Sequence, residues 1–488
     1  MKIVALFALL FGASVPAAAQ TRTVAVVHHA VSSVPAAQAA FDRGLVDYYA
    51  YNPEAAEHEF YMAADLDPKM AMAYWGIALS NAPNLNVPAT DDRDEKAREA
   101  IQQAKSLEAN ATPEDRVLID AAAARFDPGA NAKPGVLLAT YSKALGALAA
   151  ANTNDPDMTA LYAESALYTA IGSDVRGPDA MTPAQVTAFR ARISAVLPIF
   201  QAGLAKFAKH IGLEHFYIHA TQMAGKSPLA VDAAKQLAMF SFPNEDSHLT
   251  HMPGHTFFDV GMYDAGLDVG TRSVGMDLAD VACCHPGYYS STRYYKDHNV
   301  AFELYAMTEM GRTADAVVVA RRDGNVDFLA RQLIADGRWQ DELAIPYTKG
   351  ADPTLTFARG IAYAKLGNRA LATEALAELP ASLTAPSRAA NLHAMRSTLG
   401  AEIAALDGDD AKALQMLTDA STAASLGQSI AHPESPSLYY YSPHMLLAQL
   451  AMRLGKPDVA RTALQAELAS SPLSPVATKM LAKLGSAR

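Results

Sequence analysis

Histidine is concentrated in the middle of this chain of 488 residues. Eight of its 14 histidines lie between positions 210 and 298, where an even distribution would place only two or three. Neutral imidazole is a common ligand of transition-metal ions, and its pKa near neutrality also suits it to acid-base catalysis. Metal binding and proton transfer are therefore the two chemistries to weigh against ordinary packing.

The first histidine motif is HFYIH, which contains His215 and His219. The spacing of four residues puts both rings on one face of a helix that we predict to end at Gly225, one turn apart and within reach of a common ion. Histidines on a helix face also occur as solvated or core residues. The motif alone leaves both interpretations open.

The second motif, HLTHMPGH, contains three histidines in eight residues: His248, His251 and His255. Steps of three and seven residues return to nearly the same face of a helix. Pro253 interrupts this pattern because it removes a backbone hydrogen bond and collides with the preceding turn. Either the helix begins at Pro253, or it begins near Ser247 and is kinked. Gly254 falls at a small-residue position of the repeat described below, which favours the second alternative.

The third motif is RYYKDHN, in which Asp297 and His298 precede an apolar segment. We predict that Asp297 caps the N-terminus of a helix and that His298 lies in its first turn. The helix dipole there disfavours imidazolium, so the ring should be neutral and able to bind a metal. The neighbouring Cys283, Cys284 and His285 lack the CxxC spacing of a zinc site, and metal binding by these cysteines is not favoured.

A carboxylate could complete such a site. Glu164 lies in the apolar segment TALYAESALYTA, where an unpaired charge would be costly. It is either on a solvated helix face or a buried partner of a histidine or cation. The candidates for acid-base catalysis are Glu164, His219 and His255.

Internal repeats indicate which elements position these residues. The segment from Phe41 to Pro68 carries small and aromatic residues at positions expected of a tetratricopeptide repeat (TPR), namely Gly44, Ala56, Phe60, Ala63 and Pro68. A second match near the C-terminus consists of Ala448, Gly455, Ala460, Leu464 and Pro472. Between them, we predict that a glycine ends the first helix of each pair: Gly225, Gly261, Gly311, Gly337, Gly367, Gly408 and Gly455. The predicted fold is all-α, a superhelical array of degenerate TPR-like helix-turn-helix repeats with central insertions.

Other side chains are candidates for ligand binding. Trp75 and Tyr217 lie at helical spacing, where packing between helices is the favoured interpretation of aromatic residues. The prolines of NAPNLNVP preclude a continuing helix, and its Asn84 and Asn86 either orient a ligand or cap turns. Turn capping is the favoured interpretation of these two amides.

Composition excludes some classes of function. The net charge is −11 and basic residues are scattered, so nucleic acid is not an expected partner. Half of the residues are hydrophobic while only 8% are aromatic, which suits closely packed helices. Cys283 and Cys284 are adjacent and cannot link distant segments.

The N-terminal segment MKIVALFALLFGASVPAAAQ has the layout of a secretory signal, with cleavage predicted after Ala19. No later apolar run approaches the roughly 18 residues that span a bilayer. We therefore expect a periplasmic or secreted protein without a membrane span. The predicted segments are a signal peptide (1–19), an N-terminal extension (20–35), N-terminal TPR-like helices (36–150), central histidine-rich repeats with insertions (151–320) and C-terminal TPR-like repeats (321–488).

Several motifs in a fixed order resemble a family of bacterial TPR proteins, many of them exported. These motifs are AMAYWGIAL with PNLN, HFYIHA, HLTHMPGH followed by VGMYDAGLDV, and HN before an apolar helix, and the resemblance covers roughly residues 27–320. The family pattern places histidines at His219, His251, His255 and His298, together with the run Leu161-Tyr162-Ala163-Glu164. This chain has Gly254 where the family has serine, and it lacks a tryptophan-rich continuation after Glu164. The resemblance implies the fold and export, and no established activity.

Three functions remain open. The first is an exported helical-repeat module that binds a protein, a peptide or a small ligand in a concave groove. The second is a metal-dependent hydrolase or oxidoreductase, or a metal-binding protein, that uses a divalent transition metal such as zinc, copper or iron. Its predicted ligands are His219, His251, His255 and His298, with His215 and His248 as further ligands or as partners that orient them. The third is metal-free acid-base chemistry by a histidine and Glu164.

Overall fold

The structure is a computed structural model that describes residues 22–126, 133–172, 181–242, 247–283, 289–350, 352–430 and 441–485. The predicted signal peptide, residues 1–19, lies outside the described residues. So do Cys284 and His285 and most of the glycine- and proline-rich segment between Gly172 and Met181.

Helices make up nearly all regular structure in the described residues. In chain order they are α1 (Pro35–Tyr49), α2 (Pro53–Leu66), α3 (Ala71–Ser80), α4 (Asp91–Leu107), α5 (Pro113–Phe126), α6 (Pro134–Ala151), α7 (Pro156–Ile171), α8 (Pro183–Lys206), α9 (Ile211–Met223), α10 (Val231–Leu237), α11 (Ser247–Asp259), α12 (Tyr263–Cys283), α13 (Tyr289–Glu309), α14 (Thr313–Asp323), α15 (Val326–Ala335), α16 (Trp339–Leu343), α17 (Pro353–Lys365), α18 (Arg369–Glu378), α19 (Pro386–Leu406), α20 (Asp410–Ile430), α21 (Pro443–Arg453), α22 (Pro457–Ser470) and α23 (Pro475–Gly485). Two short strands, β1 (Thr23–Val24) and β2 (Phe240–Ser241), pair in parallel.

The predicted helix ends are confirmed at every glycine of the repeat register. All seven glycines lie just after a helix and have φ between 65° and 79°: Gly225, Gly261, Gly311, Gly337, Gly367, Gly408 and Gly455. Glycine adopts this left-handed conformation without the steric penalty of a Cβ, and it therefore ends helices efficiently. The sequence thus marks most turns between paired helices.

The first repeat packs as its residue types predict. Phe60 in α2 is 1% exposed and lies against Gly44 in α1 and Gly76 in α3. A Cβ at Gly44 would be 2.7 Å from Phe60 Cε1, and a Cβ at Gly76 would be 2.6 Å from Phe60 Cδ1. The two glycines therefore let three helices approach one aromatic ring.

Successive helices contact one another along the whole described chain, which confirms the all-α helical-repeat array. One large hydrophobic core runs from Ala25 to Val269 and is joined by Ile430. It extends across the predicted boundary between residues 150 and 151. Further cores lie within residues 317–403 and 401–477. None of the described helices has both the length and the apolar character needed to cross a bilayer.

The central histidines of both sequence motifs and of RYYKDHN lie on three helices, α9, α11 and α13. The structure decides between the two predicted starts of α11 and contradicts the predicted start of α13. Helix α11 begins at Ser247 and contains Pro253, so the earlier of the two predicted starts is correct. Helix α13 begins at Tyr289, and the prediction that Asp297 caps it is wrong. The polar residues before Asp297 are already helical, so Asp297 and His298 lie in the interior of α13 and the predicted place of His298 in the first turn is wrong as well.

Candidate metal centre

Helices α9 and α11 bring three histidines to one point. His215 and His219 lie one turn apart on α9, and His248 is near the start of α11. The Nε2 atom of His215 is 3.0 Å from Nε2 of His219 and 3.1 Å from Nε2 of His248. Nitrogen ligands bound to one ion at about 2.0–2.1 Å are separated by roughly 3–3.5 Å. We call this group triad one, and its nitrogens are spaced to bind one ion.

A second group of three histidines, triad two, consists of His251 and His255 on α11 and His298 on α13. One ring nitrogen from each residue lies within 4.8 Å of the other two. The Nε2 atoms of His255 and His298 are 3.4 Å apart, and the ring of His251 is 5.1 Å from that of His298. Triad two therefore also has the spacing of a metal site.

The two triads are neighbours because α11 contributes to both. The ring centroids of His248 in triad one and His251 in triad two are 4.7 Å apart. Those of His219 and His255 are 6.3 Å apart. Two ions bound in these triads would share one small region of the core, as in dinuclear centres built between helices.

The histidines lie in the interior of the protein. Five of them have exposed fractions of 4% or less: His215 (0%), His219 (1%), His248 (4%), His251 (1%) and His255 (2%). Burial, and after it the neighbouring imidazoles, lowers the pKa of His248 and of His251 well below 6.5. These two rings are therefore neutral at pH 7, which is the state that binds metal ions.

Backbone carbonyls orient one ring in each triad. The Nδ1 atom of His215 is 2.6 Å from the carbonyl oxygen of Tyr49, and Nδ1 of His251 is 3.3 Å from that of Ser247. A carbonyl oxygen only accepts hydrogen bonds, so Nδ1 carries a proton in both rings. In the neutral form, each of these rings binds a metal ion through Nε2.

Tyr51 forms an aromatic wall of triad one. Its ring centroid is 4.6 Å from that of His215, 5.7 Å from His219 and 5.9 Å from His248. Tyr51 lies in the turn between α1 and α2 with a φ of 54°, a conformation that costs a tyrosine about 1–3 kcal/mol. The fold retains this strained residue where its ring covers all three histidines.

Phe302 packs against the rings of triad two, as Tyr51 does against those of triad one. Its ring lies 4.6 Å from the rings of both His255 and His298, and 6.2 Å from that of His251. Gly254 lets α12 approach this part of α11, since a Cβ there would be 3.3 Å from Val269 Cγ2. The predicted small-residue role of Gly254 is thus confirmed.

Glu164 is buried and contacts tyrosines, so the alternative of a solvated helix face is wrong. The hydroxyl of Tyr48 donates to Glu164 Oε2 at 2.6 Å, and burial raises the pKa of Glu164 to about 7 despite this bond. Tyr168 also bonds to this carboxyl, and its hydroxyl is 2.7 Å from that of Tyr51. Glu164 is therefore linked to triad one through two tyrosines, and it is a member of neither triad.

The remaining residues predicted to bind a ligand mainly cap a turn or pack in the core. Asn84 Oδ1 accepts from the backbone N–H groups of Asn86 and Val87 at 2.9 and 2.8 Å, which is the predicted turn cap. Asn86 Nδ2 lies 3.3 Å from Nε2 of His248, so this loop borders triad one. Trp75 and Tyr217 are 2% and 4% exposed and pack in the core.

Residues that sequence reasoning missed include Tyr49, Tyr51 and Phe302. The run YYAY at the end of α1 was the available signal for the first two, but nothing local indicates that it faces histidines more than 160 residues away. Phe302 falls one helical turn after His298, and this spacing could have identified it as a neighbour of that ring.

A third group of ligand-type residues lies elsewhere, around His29. Its Nε2 atom is 2.8 Å from Asp115 Oδ1, and its Nδ1 atom is 3.8 Å from Asp155 Oδ2. Burial opposes the charged ring, but the hydrogen bond and charge of Asp115 prevail and raise the pKa of His29. This group is accounted for as an ion-pair network that ties the N-terminal segment to α5 and α7.

Comparison of the sequence with models of protein families finds no match, and comparison with curated proteins finds none either. Among solved structures, the chain is similar to the P58(IPK) TPR domain, with 11% identity, a TM-score of 0.23, and coverage of 92% of this chain and 97% of that one. It is also similar to yeast Tom70, with 11% identity, a TM-score of 0.23, and coverage of 91% and 87%. Similarity at this level carries no inference about activity or partners.

Proposed function

We propose that this chain holds two transition-metal ions in adjacent three-histidine sites and that it acts as a metal-dependent enzyme. The observation that carries the proposal is the convergence of six imidazoles into two groups of three, with Nε2 separations of 3.0, 3.1 and 3.4 Å. The four histidines predicted from the sequence are among them. His215 and His248 are included as full ligands of triad one.

Triad one shows why a metal ion explains the arrangement better than packing does. His215 donates through Nδ1 to the carbonyl of Tyr49, so Nε2 is the ring nitrogen whose lone pair can bind a metal ion. That single lone pair faces two other imidazole nitrogens, those of His219 and His248, at 3.0 and 3.1 Å. A cation between the three nitrogens would bind the lone pairs of all three at once. A hydrogen bond would join only two of the three nitrogens.

Three protein ligands per ion leave a coordination position for a substrate or water, as in catalytic metal sites. Metal-free acid-base catalysis is less favoured, because the buried carboxyl of Glu164 contacts Tyr48 and is separated from the histidines by Tyr51 and Tyr168. Imidazole suits zinc, copper, iron and nickel.

The proposal also includes a ligand-binding groove and the location of the protein in or outside the cell. The helical-repeat array offers surfaces on which a protein, peptide or small ligand could bind, and such a groove remains a proposal about this chain. Its periplasmic or secreted location likewise rests on the signal-like N-terminal segment.

Metal content tests the proposal directly. The full-length protein, exported and purified without chelators, is expected to contain two metal ions per chain by elemental analysis. The His215→Ala and His255→Ala variants should each retain one ion, because each disrupts one triad. The matched control is His444→Ala, which removes a buried histidine whose Nδ1 bonds to Ser421 Oγ at 2.6 Å, outside both triads. A parent protein that binds no metal after incubation with copper, zinc or iron would overturn the proposal.

A further inference from the structure

Both triads contain histidine alone. No aspartate, glutamate or cysteine of the described residues belongs to either group. Paired iron or manganese ions in helical bundles are typically held by several glutamates, because these harder cations favour oxygen ligands. An all-imidazole set therefore selects against them and favours copper, zinc or nickel.

The charge of the centre narrows this choice. Six neutral imidazoles do not themselves compensate any of the charge of the bound ions, which lie in the protein interior, where charge is costly. Two divalent ions would bring four positive charges, whereas two copper(I) ions would bring only two. Copper is the metal in this group with a common monovalent state, so it suits the neutral ligand set in the absence of a bound anion.

Access to the centre limits the substrate. Five of the six histidines are at most 4% exposed, and aromatic rings of Tyr51 and Phe302 cover the two triads. A peptide, sugar or phosphate ester could reach the metals only after this part of the core opened. A small apolar molecule needs a much smaller opening than any of these. The site is thus poorly suited to hydrolysis of a large substrate.

Resting on the proposed function, we propose that the two triads hold a pair of copper(I) ions and that the small-molecule substrate of this pair is dioxygen. Each copper(I) gives one electron to dioxygen and becomes copper(II), and dioxygen gains two electrons and is bound as peroxide. No proton is required. The total charge of the pair with its bound oxygen stays at two positive charges, so the buried site gains no net charge in the reaction.

Both triads are needed for this step, because one copper(I) supplies only one electron. The proximity of His248 and His251, whose centroids are 4.7 Å apart, places the two ions side by side along α11. A protein that lacks one triad should therefore bind copper in the other triad without two-electron reduction of dioxygen.

Dioxygen uptake by the copper-loaded full chain tests this inference. The metal-free protein is loaded anaerobically with copper(I), and dioxygen consumption is measured with an oxygen electrode. We expect one dioxygen per two copper ions, and a weak copper(II) paramagnetic resonance signal because paired ions couple magnetically. The His215→Ala and His298→Ala variants should each bind one copper(I), lose this uptake and, after chemical oxidation with ferricyanide, show the strong signal of an isolated copper(II). His444→Ala should behave as the parent.

The outcomes separate the two proposals. A chain that binds two copper ions without dioxygen uptake would overturn the dioxygen inference and leave the metal centre in place. Binding of zinc with exclusion of copper(I) would do the same. Uptake at the parental level in both single-triad variants, checked for folding by circular dichroism, would show that the ions do not act as a pair. Failure to bind any metal would instead overturn the proposed function.

Discussion

Gly212→Ala should weaken metal binding at triad one and leave triad two unaffected. Gly212 lies in the first turn of α9, against the ring of Tyr49. A Cβ there would lie 2.6 Å from Tyr49 Cδ1 and 2.9 Å from its Cγ, so the ring or the helix must shift. Tyr49 cannot shift freely, because its hydroxyl donates to Asp157 at 2.7 Å while its carbonyl accepts from His215 at 2.6 Å.

These contacts determine the expected size of two effects, the loss of folding free energy and the loss of metal affinity. Overpacking of this kind costs about 1–3 kcal/mol of folding free energy, offset by up to about 1 kcal/mol because alanine favours helix over glycine. Displacing the carbonyl that orients a metal-binding histidine typically lowers metal affinity about 10- to 100-fold. The variant should therefore unfold at a slightly lower urea concentration than the parent. It should also bind the metal ion of triad one about 10- to 100-fold more weakly.

A competition titration with a chelator of known affinity measures both sites in one experiment. The parent should release two ions, and in Gly212→Ala the affinity of one of them should fall while that of the other is retained. Gly275→Ala is the matched control, because a Cβ there meets nothing within 4 Å. This second variant should gain about 0.5–1 kcal/mol of stability and keep both affinities. Unchanged affinity at both sites in a folded Gly212→Ala protein, or an equal loss at both, would refute the reasoning.

Three further predictions concern other parts of the structure. Phe302→Ala should cost about 3–5 kcal/mol in urea unfolding and weaken the metal of triad two more than that of triad one; an equal loss at both would contradict this. Tyr51→Phe removes a hydroxyl 2.7 Å from that of Tyr168 and should cost about 1–3 kcal/mol without metal loss, since the ring that covers triad one remains; elemental analysis checks the metal. Burial raises the pKa of Glu342 from 4.5 to about 7, so the contribution of this group to stability is fully present below pH 4.5 and is lost as the pH rises through about 7. As the pH rises to about 7, the parent should lose up to about 3 kcal/mol relative to Glu342→Gln, and parallel pH profiles would contradict this.

The repeat architecture could be predicted to a large extent because its signals are local. A glycine that must adopt positive φ marks the end of a helix wherever it falls, and all seven glycines of the register do so. The packing of Phe60 against Gly44 also follows from the spacing of the first repeat. The prediction that Asp297 caps α13 was wrong because local signals do not decide where this helix begins. A polar run such as SSTRYYKDHN has helix-compatible residues, and its helical state depends on the neighbours α12 and α14 against which α13 packs.

The candidate site could be predicted only in part. The spacing of four residues correctly placed His215 and His219 one turn apart on α9, and four of the six histidines were singled out as ligands. The sequence could not show that His248 turns toward α9 while His251 and His255 turn toward α13, since this depends on how three helices cross. Tyr51 was missed because its contacts with His215 and His248 are entirely long-range.

The sequence by itself therefore determined the all-α repeat, the ends of most helix pairs and the concentration of imidazoles in the central helices. These properties depend on residue type and on short spacings along the chain. Only the tertiary structure decided that the imidazoles divide into two groups of three, that α11 belongs to both, and that Tyr51 and Phe302 cover them. Helical periodicity fixes the direction of a side chain from its own helix axis, whereas the packing of α9, α11 and α13 fixes which nitrogens meet.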